Sequence, residues 1–286
     1  MESWITREVK ESRVIGGKTK TLYEVGPEQT ITDGKPYTTT GGSPWGTSNI
    51  MAKVAGVTKT TGTVTPDEHP GHGKCAKLET HIESVKALGI VNIKVLSPGS
   101  LFLGYFKEPI TSTDGAEKFM IWDTKFTRRP KALRFDYKFQ QSKEKRIDMD
   151  GLSRSKEVAG PDRGLARLYL QKRTEDAQGN VTAKRVGTML VRFDKSTDWV
   201  NGATYDIIYG DATSKPGYDA ERMALQTLCY TINSKGKTVP VTETGWAAPG
   251  EEPTHIMLQF ISSDGGTFVG SPGNTLWIDN VALVYE

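Results

Sequence analysis

Along Leu133-Arg134-Phe135-Asp136-Tyr137-Lys138-Phe139, apolar and polar residues alternate without a slip. Leu133, Phe135, Tyr137 and Phe139 therefore share one face of a strand, and Arg134, Asp136 and Lys138 share the other. One apolar and one charged face predicts an antiparallel sheet, with a core on one side and water or ligand on the other. Residues 165–172 repeat the pattern. Ala166, Leu168 and Leu170 are predicted inward, and Arg167, Tyr169 and Gln171 outward. Shorter alternations recur at 75–81, 91–95 and 256–260. Period two dominates the chain.

Helical spacing is confined to two short stretches. Residues 80–88 place Ile82, Val85 and Leu88 on one side and end at Gly89, a suitable cap. Residues 219–228 predict a second short helix. The final strand changes phase: Leu276 and Ile278 share one parity, while Val281, Leu283 and Tyr285 share the other. The slip falls at Asp279-Asn280 and predicts a β-bulge there. Frequent Gly and Pro turn signals between short strand-forming runs, with no βα alternation, place the chain among all-β sandwiches or barrels.

Composition narrows the function classes. Lys+Arg 37 against Asp+Glu 34 leaves a net charge of +3 on 286 residues, too weak a field to favour nucleic acid or an anionic membrane. No apolar run approaches the roughly 18 residues that a membrane-spanning helix needs. Met1-Glu2-Ser3-Trp4-Ile5 lacks the basic and apolar regions of a secretory leader. Cys75 and Cys229 read as small buried hydrophobes, with a pairing as the alternative. A single domain over 1–286 is expected, with 1–42 as opening strand and wrap. The Gly-, Thr- and Pro-rich region 24–73 reads as irregular, and 141–163 and 212–220 as long surface loops.

Several segments, in order, carry a resemblance. They are Ser43-Pro44-Trp45-Gly46-Thr47-Ser48-Asn49, Cys75-Ala76-Lys77-Leu78-Glu79-Thr80, Gly99-Ser100-Leu101-Phe102-Leu103-Gly104 and Phe126-Thr127-Arg128-Arg129-Pro130 running on to Phe139. The tail from Ser262 to Gly270, leading into Leu276–Tyr285, completes the set. Together they resemble the putative carbohydrate metabolism domain (PCMD) family over 43–286, and the last strand resembles that of jelly-roll carbohydrate-binding modules. The resemblance implies a jelly-roll-like antiparallel β-sandwich, a role in carbohydrate use and an extracytoplasmic home, often as a lipoprotein. A mature-length chain with an added Met1, its lipid anchor upstream, would account for the missing leader.

Sugar binding needs flat aromatic faces beside groups that bond hydroxyls. Trp45, Trp122 and Trp199 lie beside turn residues or Asp and are candidates, whereas Trp277, inside a strand, reads as core. The outward side chains Arg134, Asp136 and Lys138, joined by Arg167 and Tyr169 if the two strands are neighbours, form a candidate binding face. A solvated face laced with ion pairs is the alternative. Asp67-Glu68-His69-Pro70-Gly71-His72 has metal-ligand ingredients, but Pro70-Gly71 forbids the helix of H-E-x-x-H, so it reads as a loop. No cofactor is required, although a structural calcium at Asp279 would fit the jelly-roll resemblance. Glu79 and Asp136 are the least arbitrary carboxylates for glycoside hydrolysis. G-x-S-x-G, P-loop and C-x-x-C motifs are missing. The expected partner is a polysaccharide or oligosaccharide at the cell surface or in the periplasm. A glycan-active hydrolase or lyase, or an adhesive protein-binding module, remain the alternatives.

Overall fold

The computed structural model describes residues 1–38, 42–87, 91–151, 155–226 and 229–285. Leu133, Phe135 and Phe139 of the strand Ala132–Gln140 are fully buried, as their shared parity requires. That strand sits inside an antiparallel five-stranded sheet. The order is Val200–Asp206, Ala132–Gln140, Thr275–Val284, Gly73–Glu79 and Val64–His69. Against its inner face packs a ten-stranded sheet centred on the long hairpin Gly164–Glu175 and Val181–Phe193. Ala166, Leu168, Leu170, Leu258 and Phe260 supply the facing side of the main core. Phe135 meets Phe260 edge-on at 5.1 Å, a favoured aromatic geometry. The all-β sandwich expected from the alternation is what forms, with two parallel pairings inserted into the larger sheet.

The larger sheet curls until its ends meet. Its outermost strands are Trp45–Thr47 and Tyr105–Phe106, yet Tyr105 follows Leu103, the partner of Trp45, through the single residue Gly104. Gly104 holds φ +146°, and a Cβ there would collide with the Ile121 carbonyl, so this tight crossing requires glycine. Curling encloses a second core of Phe102, Trp122, Tyr169, Val181, Ala183, Cys229, Val241 and Met257. At its centre lies a charged pair. Arg185 is fully buried, stacks 3.7 Å from the Tyr169 ring centre and donates to Glu243 at 2.6 and 2.5 Å. Gln171 and the Gln226 amide donate to the same carboxylate, which satisfies the buried charge.

Three expectations are corrected. Residues 81–87 form the strand His81–Ala87, not a helix, because Val91–Ser97 pairs with them along their whole length. Leu88 and Gly89 lie outside the described residues. The stretch 219–226 makes turns rather than a helix, and 227–228 lie outside the described residues. The Asp219 carboxylate bonds the next amides, and Glu243 draws the Gln226 amide away from any helical ladder. The region 24–73, expected to be irregular, holds the strands Trp45–Thr47, Ile50–Val54, Val57–Thr61 and Val64–His69. In the predicted loop 141–163, Asp162 is buried because Ser263, the Ser271 amide and Asn274 donate to it. Cys75 and Cys229 are both buried and unpaired.

Candidate functional site on the outer face of the five-stranded sheet

The predicted bulge builds the site. Arg134 pairs with Ala282, but Asp136 pairs with Asp279, so the last strand carries one extra residue. Asn280 absorbs it at φ +48°, a conformation that Asn tolerates better than most residues. The bulge brings Asp136 and Asp279 face to face on the side away from the core. It also turns Asn280 so that its amide donates to Asp136 Oδ2 at 2.7 Å. The Gly202 amide donates to Asp136 Oδ1 at 2.5 Å.

His69 ends the edge strand Val64–His69, beyond Gly73–Glu79, and reaches between the two carboxylates. Its Nδ1 lies 3.0 Å from Asp279 Oδ2 and 4.0 Å from Asp136 Oδ2. Burial works against ionisation of Asp279. Hydrogen bonds from the Met1 amine, His69 and the Asn280 backbone outweigh it and hold this carboxyl below its ordinary range. An ionised carboxylate only accepts, so the proton of this contact sits on Nδ1. The turn through Pro70 and Gly71 folds His72 back over His69, ring centres 4.2 Å apart, and Trp199 stacks on His69 at 3.7 Å. Two rings so close to a third cannot share one face of it, so His69 is sandwiched between them.

Beside this stack stands Trp277. It is half-buried, donates its indole N–H to Asp67 at 2.8 Å, and has Lys138 and Lys77 at 4.9 and 6.0 Å from its ring centre. Asn201 donates toward His72 Nε2 at 3.4 Å. The face thus offers two indole rings, two ammonium groups, a carboxylate and two amides within a few strands.

Of the predicted candidates, Asp136, Lys138, Trp199 and Asp279 come together here, and Arg134 lies exposed on the same strand. Asp136 is nonetheless buried, because Asn280 and Gly202 close over it. Tyr169 and Trp122 are not ligand-facing: both are sealed in the second core. Arg167 is half-buried over Tyr169 on the larger sheet and does not join the face. Trp45 packs half-buried against the main core near Phe260. Trp277, expected in the core, is the main addition. Its parity with Asp279, opposite to Leu276 and Ile278, carried that signal. His69 had no signal beyond a loop motif.

His69, His72 and Asp136 bring one ligand atom each within 4.8 Å of one another, a possible metal triad by proximity. The stacking opposes it. Imidazole lone pairs lie in the ring plane, and two planes only 18° apart cannot both point at one ion about 2 Å away. A metal would have to unstack His72. At Asp279, both oxygens contact nitrogen donors rather than the oxygen-ligand shell that calcium requires.

The sequence model for the family described as "Putative carbohydrate metabolism domain" matches residues 17–284. The chain belongs to this family. Among solved structures, a crystal structure titled a putative glycoside hydrolase from Bacteroides thetaiotaomicron gives a TM-score of 0.50 at 19% identity, covering 98% of this chain and 71% of that one. Another with the same description, from Bacteroides vulgatus, gives 0.46 at 16% identity and covers 100% of both chains. None of the curated proteins matches the chain. The PCMD match takes in every site residue from Asp67 to Asn280, and the likeness to the first structure is one of fold.

Proposed function

We propose that this PCMD chain binds a saccharide on the outer face of its five-stranded sheet, as part of a glycan-utilisation system. One observation carries the reading: half-buried Trp277 and Trp199 share a sheet face with Lys138, Lys77, Asp67, Asn201 and Asn280. Indole faces suit the C–H surface of a pyranose, and amides, ammonium and carboxylate groups bond its hydroxyls. The family's description and that of the Bacteroides thetaiotaomicron structure support the ligand class. A glycan array followed by calorimetry tests it. Trp277→Ala and Trp199→Ala are each expected to weaken a neutral-glycan hit by about tenfold. Silence across diverse neutral glycans would overturn the assignment of this face.

The glycoside-hydrolase description of the Bacteroides thetaiotaomicron structure raises hydrolysis as a second reading. The paired carboxylates Asp136 and Asp279 are the place to look for it. A general acid must hold a proton at working pH and reach the glycosidic oxygen. Asp279 is sealed from solvent and held in its ionised form, and Glu79 is kept low by Lys77 and His81 against its burial. Binding without turnover is the expected behaviour, and release of reducing ends from a bound glycan would reverse it. The same reading puts the protein at the cell surface or in the periplasm. Fractionation of the native cells checks this, and a purely cytosolic pool would count against it.

A further inference from the structure

A groove of about 560 Å³ opens on the larger sheet and shares no residue with the face described above. Its size lies within the range of about 300–1,000 Å³ common to ligand sites. Its lining comes from the adjacent strands Cys229–Ile232 and Thr238–Trp246 and from residues 107–109 and 118–119, which adjoin the strands Tyr105–Phe106 and Met120–Ile121. The Lys107 amide bonds the Phe119 carbonyl at 2.7 Å, Ile121 pairs with Tyr230, and Tyr230 pairs with Pro240. Half-buried Phe119 and Tyr230, with Pro240, supply the aromatic and apolar part of its lining.

The charge is one-sided. Lys107 and Lys118 are exposed at the groove, and the lysine ion pairs among the described residues involve other lysines. Glu108, the acid of the lining, is turned inward and spent. Its carboxylate accepts from Arg7 at 2.6 Å and from the Tyr37 and Met51 amides at 2.8 Å each. Two exposed ammonium groups in a groove that also holds Phe119 and Tyr230 call for an anion attached to something flat and partly apolar.

We infer that this groove holds an acidic oligosaccharide, its rings against Phe119 and Tyr230 and its carboxylate or sulfate groups on Lys107 and Lys118. The inference rests on the saccharide reading of the chain but not on the sheet face that carries it. Calorimetry on the full chain should use a short oligogalacturonate, a sulfated oligosaccharide and the methyl-esterified galacturonate. The acidic ligands are expected to bind, and added salt to weaken them. The double variant Lys107→Gln/Lys118→Gln should weaken them by about tenfold or more. Preference for the galacturonate or for the sulfated ligand names the anion. Tyr230→Ala should weaken the same ligands while Trp277→Ala leaves them unchanged, and melting curves confirm that each variant folds. Equal affinity for the esterified ligand, no binding of either acidic ligand, or indifference to the lysine pair would overturn the proposal. Loss of the sheet-face reading alone shows instead as neutral glycans that ignore Trp277.

Discussion

Two strands with the same alternation, Ala132–Gln140 and Gly164–Glu175, end in opposite surroundings. On the first, the non-core face carries exposed Arg134 and half-buried Lys138, and only Asp136 is drawn under cover. On the second, the corresponding face holds Tyr169 and Gln171 with no exposed surface at all. The difference lies outside either strand: the larger sheet curls and closes a second core over its far face, which takes in Tyr169. Period-two patterning assigns faces but says nothing of what covers them.

The contrast can be broken at several points. Arg185→Ala strands the buried Glu243 carboxylate and should cost about 3–5 kcal/mol in denaturant unfolding, the scale for breaking a buried pair. Tyr169→Ala should cost about 3 kcal/mol as a large-to-small change inside a packed core, where an outward residue would cost almost nothing. Cover should also show in pH dependence. Burial drives His255, beside Gln171, below its ordinary value, against the pull of Asp123. Its stabilising contribution is thus complete above pH 6.5 and declines as the pH falls below it. His255→Gln should flatten that part of the stability profile, and an unchanged slope would show that His255 is solvated. Arg134→Ala should move stability by less than about 0.5 kcal/mol. A larger loss would mean that this face, too, is covered.

Much of the fold was legible because it rests on local pattern. The inward parity of Leu133, Phe135 and Phe139, the all-β class and the slip at Asp279-Asn280 were all written in neighbouring residues. The helix expected at 80–88 failed because pairing with Val91–Ser97 is a tertiary fact that local spacing cannot carry. The site was half legible. Asp136, Lys138, Trp199 and Asp279 were marked by parity or by turn neighbours. Their meeting depends on strand order, which brings Val64–His69 and Thr275–Val284 into one sheet from opposite ends of the chain. His69 became visible only through that order, whereas the parity of Trp277 with Asp279 already marked its face. Tyr169 and Trp122 misled because an aromatic beside a turn or a charge looks the same whether or not a second layer arrives.

The curl of the larger sheet also bears on self-association. Unpaired sheet margins invite strands from other molecules, and short margins invite them least. Here they are the three residues Trp45–Thr47 and the two residues Tyr105–Phe106, too brief to template a partner. The smaller sheet leaves a longer border at Val200–Asp206. There the pairing slips opposite Phe135 and Tyr137, and Gly202 adopts φ +66°. That kink interrupts the row of backbone donors and acceptors that a foreign chain would need along this border.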